Sequence, residues 1–173
     1  MTTTAERTVK EGDAHDVRKF RNALGWFTTG VAVVTTRLEG GDPIGITVNS
    51  FSSVSLDPPM VLWCLDKQSD TLPVFEKATH FTVNVLREEH QEVSSRLAKK
   101  GDHSLADIEV KEGESRCPAL VEALAHFECK IEARHDAGDH VIMVGRVLKF
   151  DYVEEGRPLL YHRGGYKNLP PVV

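Results

Sequence analysis

A histidine stands inside a turn near the C-terminal end of the chain, in the stretch AGDHVIMVGRV. Gly138 and Asp139 suit a turn between two strands, because glycine reaches positive φ without strain and aspartate bonds back to the local backbone. The turn itself does not require His140. An imidazole there can donate to an amide carbonyl or, when protonated, meet a phosphate, so His140 is a candidate site residue. The simpler alternative is a strand-end histidine that bonds to a backbone carbonyl.

A second candidate region is GITVNSFSSVSL, residues 45–56, which has many small polar side chains. Small hydroxyl residues let another molecule approach the backbone, whose free N–H groups can donate to the carbonyl oxygens of a planar ring. The polar side chains that could add donors or bind a polyol chain are Thr47, Asn49, Ser50, Ser52, Ser53 and Ser55. A serine-rich edge strand followed by a turn remains the alternative.

The sequence DKQSDT, residues 66–71, precedes a predicted short helix from about Asp70 to Lys77. A helix start presents unpaired N–H groups and positive potential, and Lys67, Ser69 and Thr71 add one cation and two hydroxyls. This combination suits a terminal phosphate. Alternatively, Ser69 or Asp70 is a helix N-cap and Lys67 is a solvated side chain.

Short apolar runs rich in β-branched residues must position these groups. At least six strands are predicted, from the runs VAVVTT, IGITV, MVLWCL, HFTVNVL, HFECKIEA and VIMVGRVLKFDYV. Asp16 can cap a helix that ends around Gly25 and covers a sheet, and another helix runs from about Glu88 to Lys100. The segment from Gly101 to Pro118 is expected to be a long surface excursion. Many strands with few helices favour a mainly β protein, a closed or half-closed barrel, over a parallel α/β sheet.

Composition indicates one domain, residues 16–173, after a flexible N-terminal tail, residues 1–15. A net charge of -5 excludes a large basic footprint, so we expect no nucleic-acid partner. No apolar run approaches the roughly 18 residues that cross a bilayer, so no membrane role is expected. Cys64, Cys117 and Cys129 are widely spaced and are expected to be reduced, in a cytoplasmic protein. The histidines show no metal-ligand spacing, and no metal is assigned.

Together, the polar strand and the phosphate-type segment fit a flavin mononucleotide. The chain resembles the short-chain flavin reductase family, the reductase component of two-component flavin-dependent monooxygenases, from about residue 16 to residue 168. The matching stretches are FRNALGWFTTGVAVVTT, GITVNSFSSVSLDPPMVLWCLDKQSDTLPVF, FTVNVL with SSRLA, AGDHVIMVGRV and PLLYHRGGY. The resemblance implies an FMN-binding split barrel that dimerises. It also implies reduction of FMN or FAD by NADH or NADPH, with hydride passing to flavin N5, and delivery of the reduced flavin to a monooxygenase.

The resemblance also implies site residues. Contacts to the ring and ribityl chain are expected from Thr47, Val48, Asn49, Ser50, Ser52 and Ser53. The phosphate is expected near Asp66, Lys67, Ser69 and Thr71, with Ser94 and Arg96 completing that end. The flavin side is expected to be lined by Asn84, Val85 and Leu86. The dinucleotide is expected beside Gly138, Asp139 and the catalytic candidate His140. Stacking or phosphate contacts are expected from Tyr161, Arg163 and Tyr166, with the alternative that these three residues seal the subunit boundary.

Two other classes are compatible with such a barrel. One is a flavin-binding protein without reductase activity, which stores or senses flavin. The other is a heme-binding or pyridoxamine phosphate oxidase-like relative, which the Gly-Asp-His hairpin disfavours. The sequence leaves open FMN against FAD, NADH against NADPH, tight against diffusing flavin, and the identity of the monooxygenase.

Overall fold

The computed structural model describes residues 9–38 and 40–170. Its three α-helices are α1 (Val17–Leu24), α2 (Leu72–Lys77) and α3 (Gln91–Leu97). Its strands are β1 (Thr29–Gly30), β2 (Ala32–Thr36), β3 (Ile44–Val48), β4 (Ser52–Leu56), β5 (Pro59–Asp66), β6 (His80–Val85), β7 (Val110–Glu112), β8 (Pro118–Leu120), β9 (Ala125–Ala137), β10 (His140–Tyr152), β11 (Leu160–His162) and β12 (Gly165–Lys167).

The main sheet has seven strands in the order β3-β2-β6-β9-β10-β5-β4, and every pair in it is antiparallel. The sheet curls so that its two ends approach each other beside β3. There Cys64 of β5 donates its N–H to Ser50 Oγ at 2.9 Å, and Ser50 Oγ lies 3.3 Å from the Cys64 carbonyl oxygen. The expectation of a mainly β, split-barrel fold with a few flanking helices is confirmed.

An aromatic cluster fills the barrel. The ring centroid of Trp63 lies 4.9 Å from that of Phe75 and 5.8 Å from that of Phe81, and all three side chains are fully buried. Burying one large apolar side chain contributes roughly 1.5–3 kcal/mol, so this cluster is a major source of stability. Gly145 of β10 makes room for it, because a Cβ there would lie 2.4 Å from Phe81 Cζ.

The long hairpin of β9 and β10 carries the Gly-Asp-His turn to one end of the barrel. Gly138 adopts a φ of 63°, the left-handed conformation that glycine reaches without strain. The first residue of β10, His140, pairs with Asp66 at the end of β5. The hairpin therefore presents His140 beside the last residue of a neighbouring strand.

Helix α1 begins and ends where its capping residues predict. The carboxylate of Asp16 accepts from Lys19 N at 3.0 Å, and Gly25 follows the last helical residue. The expectation that α1 covers a sheet is wrong in this chain, because none of its residues is buried. Its apolar side chains Val17, Phe20 and Leu24 remain 65%, 53% and 57% exposed.

The other two helices are shorter than predicted. Helix α2 begins at Leu72, two residues after Asp70. The predicted helix from Glu88 to Lys100 is a 3-10 turn followed by α3, which ends at Leu97. Residues 98–100 then turn toward Gly101, whose φ is 85°. The chain thus leaves the helix early, and its two lysines at 99 and 100 lie beyond it.

The excursion from Gly101 to Pro118 is more ordered than the sequence suggests. It contains β7, which pairs with β8, and it buries the side chain of Leu105 in the second core cluster. Within the described part of the chain, no helix has the length and apolar character needed to cross a membrane. Of the predicted tail, residues 1–8 lie outside the described residues, and its flexibility stays a prediction.

Candidate functional site

A groove of about 270 Å³ opens between the end of β3, the end of β5 and the segment that follows α3. It brings together seven of the predicted site residues, namely Thr47, Val48, Asn49, Ser50, Asp66, Ser69 and His140. The same groove is lined by residues that were not predicted, namely Ile46, Cys64, Leu65, Asp70, Ala98, Lys99, Lys100 and His103. The polar strand end, the residues 66–71 that precede α2 (the helix approach) and the hairpin histidine therefore meet in one groove.

The open edge of β3 forms one wall of the groove. In the described residues, β3 pairs with β2 along one edge. The first two residues of its other edge contact residues 103–104, and the rest of that edge lines the groove. Gly45 directs its N–H away from β2, to the carbonyl oxygen of His103 at 3.0 Å. Because this direction alternates along an antiparallel strand, Thr47 turns its N–H to the same open edge. The edge thus offers main-chain donors of the kind that a flat ring with carbonyl oxygens can accept.

The hydroxyl groups along this wall already have protein partners. Thr47 Oγ1 donates to the Ser94 carbonyl oxygen at 2.8 Å, while Ser50 Oγ joins β3 to Cys64. The Asn49 side chain is exposed and has no hydrogen bond within the described residues. Asn49 is therefore the side chain of this wall that is ready to bind a ligand, and the two hydroxyls shape the backbone.

His140 closes the groove on the hairpin side. Its Nδ1 lies 2.7 Å from Asp139 Oδ1, and its side chain is 42% exposed. The hydrogen bond and the charge of His140 hold the pKa of the Asp139 carboxyl below its ordinary value. With Nδ1 oriented by the carboxylate, Nε2 is left to contact a molecule in the groove.

Lys67 lies on the hairpin rather than in the groove. Its Nζ donates to the Gly138 carbonyl oxygen at 2.9 Å and lies 3.1 Å from the Asp136 carboxylate. Its N–H also donates to the Asp139 carbonyl oxygen at 2.9 Å. Lys67 therefore ties the end of β5 to the turn that carries His140, and its charge is already paired.

The predicted phosphate end contains one hydroxyl that faces the groove. Ser69 Oγ lies 2.8 Å from Thr71 Oγ1, and the Thr71 side chain is buried beneath it. The cations that line this end are Lys99 and Lys100, just beyond α3. The structure thus places Ser69 with two lysines that sequence reasoning missed.

Asn84 and Leu86 lie in the protein interior, not on a groove wall. Asn84 Nδ2 donates to the Val33 carbonyl oxygen at 2.9 Å, and its Oδ1 accepts from Leu120 N at 2.8 Å. The Leu86 side chain is fully buried in the second core cluster, and Val85 pairs with strands on both sides. These residues support the wall from behind.

The remaining predicted residues lie around the groove. Ser94 is buried, its Oγ lies 2.8 Å from Tyr166 Oη, and Tyr166 packs edge-on against Tyr161. Arg96 pairs with Asp107 at 2.7 Å. Arg163 lies 4.4 Å from the ring centroid of Trp26, at the end of α1. None of these residues lines the groove in this chain.

Ser52 and Ser53 are exposed on β4, at the opposite edge of the main sheet from β3. They do not line the groove, although Ser52 is only two residues after Ser50, which does. The one signal that could have identified the missed cations is the pair KK directly after SSRLA, at the predicted helix end.

Comparison with known proteins identifies the family of this chain. The family model described as flavin reductase like domain matches residues 24–170. The FMN reductase (NADH) SmoA of Agrobacterium fabrum is 47% identical over 149 residues, which are 86% of this chain and 84% of that protein. The reductase subunit HsaB of a flavin-dependent monooxygenase from Rhodococcus jostii is 40% identical over 159 residues, 92% of this chain and 81% of that protein.

A solved structure has the same fold. The NADH:FAD oxidoreductase SgcE6 of Streptomyces globisporus, in complex with NAD and FAD fragments, superposes with a TM-score of 0.88 at 31% identity, covering 94% of this chain and 98% of that one. The fold, the groove and these relatives together define a split-barrel oxidoreductase. The chain belongs to the flavin reductase family, and the resemblance drawn from the sequence is confirmed.

Proposed function

We propose that this protein is an NAD(P)H-dependent flavin reductase that uses FMN or FAD and supplies the reduced flavin to a partner monooxygenase. The observation that carries the proposal is the groove itself. The free edge of β3 and the Gly-Asp-His hairpin face each other across it, with Thr47 on one side and His140 on the other. Relatives named as NADH-dependent FMN reductases and monooxygenase reductase subunits support the same reaction.

The residues present fit a flavin. A tricyclic ring with carbonyl oxygens needs main-chain donors along one edge, and the outward N–H of Thr47 supplies a donor of that kind. The exposed amide of Asn49 can bind the ribityl hydroxyls, and Ser69 with Lys99 and Lys100 can bind the anionic tail. A bound flavin supplies the hydride acceptor of the reaction.

The chain contributes position more than acid–base chemistry. Holding two reactants in a productive geometry is worth up to about 7–11 kcal/mol of barrier, so the two walls of the groove are the main catalytic device. His140, oriented by Asp139, binds the nicotinamide side through Nε2. The outward N–H of Thr47 would donate to a bound flavin and would stabilise negative charge on the reduced ring.

A homodimer is part of the proposal. Large apolar side chains are exposed on β4 and on the second half of β10, including Leu56 at 93%, Leu148 at 54% and Phe150 at 61%. Large apolar side chains exposed in this number are typical of a surface that a protein partner covers. We place the protein in the cytoplasm, because its three cysteines are free thiols.

The test is anaerobic mixing of the purified protein with FMN or FAD and with NADH or NADPH, followed through the flavin absorption band. A reductase bleaches the flavin at a rate that depends on protein concentration, and the four combinations identify the preferred pair. A protein that binds flavin without bleaching it would be a storage or sensor protein. A second, aerobic experiment adds a monooxygenase, its substrate and O2, and tests delivery as product formed from the reduced flavin that this protein releases.

A further inference from the structure

Two cations at the phosphate end of the groove are not neutralised by the protein. Lys99 and Lys100 line the groove, and within residues 9–38 and 40–170 neither forms an ion pair with a carboxylate. Both are exposed and lie beyond the end of α3, where the helix no longer fixes their direction. Their position depends on what holds residues 98–103.

His103 anchors this segment to both walls of the groove. Its Nδ1 lies 3.1 Å from the Gly45 carbonyl oxygen on β3, and its Nε2 lies 2.7 Å from Asp70 Oδ1 beside Ser69. Asp70 Oδ2 also accepts from Gly101 N at 2.6 Å. The His103 side chain is only 12% exposed. The imidazole of His103 therefore connects β3 and the helix approach to residues 98–103, the segment that carries the two lysines.

Backbone packing holds the next residues against the same strand. Gly45 donates its N–H to the His103 carbonyl oxygen at 3.0 Å, and Ile44 forms a bridge with Ser104. A Cβ at Gly45 would lie 3.1 Å from Leu105 Cδ2, so a larger residue at this position would require the Leu105 side chain to shift. Residues 103–105 are thus fixed independently, and the His103 side chain adds the connection to Asp70.

Both nitrogens of His103 face atoms that only accept hydrogen bonds. A backbone carbonyl accepts, and an ionised carboxylate accepts, so both bonds require an N–H on each ring nitrogen. A neutral imidazole has one N–H. The bridge therefore contains one more proton than a neutral histidine beside a carboxylate, and the imidazolium is the form that satisfies both contacts.

We propose that Asp70 and His103 form a protonated latch that positions Lys99 and Lys100 on the anionic tail of the flavin. His103 is a positioning residue, and the lysines are the binding groups. The proposal rests on the proposed function and adds how the phosphate is recognised. A His103 ring with only one N–H leaves one of the two contacts without a donor. Residues 98–102, which the backbone contacts of residues 103–105 do not hold, are then less firmly positioned, and the affinity for the phosphate falls.

The charged surroundings of the latch are few. Strand β3 presents no titratable side chain, the helix approach presents Asp66 and Asp70, and the segment itself presents Lys99, Lys100 and Asp102. Arg96 of α3 pairs with Asp107 and donates to the Ser104 carbonyl oxygen at 3.3 Å, and His140 lies on the hairpin wall. Burial raises the pKa of Asp70, but hydrogen bonds from Gly101 and His103 bring it below its ordinary value, which keeps the carboxylate ionised.

The experiment measures binding without turnover. Fluorescence titrations give dissociation constants for FMN and riboflavin, which differ by the phosphate, from pH 6 to pH 9. The variants are Lys99→Met with Lys100→Met, Asp70→Asn and His103→Asn, each checked by thermal unfolding. The matched control is Lys77→Met with Lys130→Met, which removes the same charge from exposed positions away from the groove. Comparing variant with wild type at each pH cancels the titration of the phosphate itself, whose second pKa is about 6.

The lysine pair variant is expected to lose the preference for FMN over riboflavin roughly tenfold, while the control keeps it. Asp70→Asn and His103→Asn are expected to reduce the preference several-fold near pH 6–7. A preference that stays at the wild-type value in both latch variants at every pH overturns the latch. Wild-type protein that binds neither flavin overturns the proposed function instead. If His103→Asn does not fold, Asp70→Asn tests the same bond from its other end.

Discussion

Lys67 Nζ lies 3.1 Å from the Asp136 carboxylate and 2.9 Å from the Gly138 carbonyl oxygen, so this lysine joins β5 to the turn that carries His140. The sequence predicted a phosphate contact for Lys67, and the two roles differ in a measurable way. We expect Lys67→Met to raise the nicotinamide KM about two- to fivefold, the effect of one exposed ion pair, and to leave the FMN preference over riboflavin unchanged. A phosphate contact would instead reduce that preference. Steady-state kinetics together with the two flavin dissociation constants decide between the roles.

His140 is expected to act on the nicotinamide side. Its ring is oriented by Asp139 at 2.7 Å and faces the groove. His140→Ala should raise the nicotinamide KM roughly tenfold, the loss of about one good hydrogen bond, with a smaller change in the flavin KM. His135→Ala is the matched control, because His135 is exposed on the same hairpin and does not line the groove. A lost flavin affinity with an unchanged nicotinamide KM would contradict the assignment.

Asn84 and Asn49 are expected to have different roles, the first in stabilising the fold and the second in binding the flavin. Asn84→Ala removes the hydrogen bonds to Val33 and Leu120 and leaves the Leu120 N–H buried without a partner, so it should lower the free energy of unfolding by roughly 2–4 kcal/mol. Asn49→Ala removes an exposed side chain of the groove wall and should weaken flavin binding at nearly unchanged stability. Urea unfolding and flavin titration of both variants test the pair. The reverse pattern would place Asn84 on the ligand.

Asp151 predicts a loss of stability in acid. Burial raises its pKa, but the hydrogen bond and charge of His126 and of Lys111 bring it below the ordinary value. The folded state then has the lower pKa, so this contribution is complete above the unfolded carboxyl value of about 3.9 and is lost as the pH falls through the folded value. We expect the difference in unfolding free energy between wild type and Asp151→Asn to shrink between about pH 5 and pH 2. A difference that is constant over this range would exclude the linkage.

The parts of the fold that sequence predicted are those that local patterns determine. Alternating and β-branched runs located the strands, and Asp16 and Gly25 marked both ends of α1, because capping depends on neighbouring residues alone. What α1 packs against is a tertiary property, and its exposed apolar face is an example. The helical spacing of Val17, Phe20 and Leu24 indicates that this face needs a packing partner, but it does not identify the partner.

Sequence patterns predicted those site residues that lie within one strand or one turn, but not the contacts between segments that are far apart in sequence. Thr47 lies on β3, Ser50 follows two residues after its end, and both line the groove. The Gly-Asp-His turn has its own local sequence signal. The bridge from His103 to Asp70 spans 33 residues of sequence, and the pairing of Lys67 with Asp136 reaches across β10 from the end of β5 to β9. Such contacts depend on register and on where a helix ends. Lys67 was therefore predicted to bind the phosphate because it is close in sequence to the predicted phosphate segment. Lys99 and Lys100, which line that end of the groove, were missed.

The cysteines offer a test of the groove that needs no catalysis. Burial raises the pKa of Cys129 to about 12, with smaller contributions from Cys117 and Glu128, and it also raises the pKa of Cys64 and Cys117. Since the thiolate is the reactive form, all three should react slowly, but Cys64 lines the groove while the other two are buried. We expect a thiol reagent at pH 8 to modify Cys64 first, and the other two cysteines only on unfolding.

Bound FMN should slow the modification of Cys64 severalfold, in proportion to the occupancy of the groove. Mass spectrometry of the labelled peptides measures this, and Cys64→Ser is the control. Labelling of Cys129 ahead of Cys64 in folded protein would contradict the packing of the barrel, and labelling of Cys64 that saturating FMN does not slow would place the flavin elsewhere.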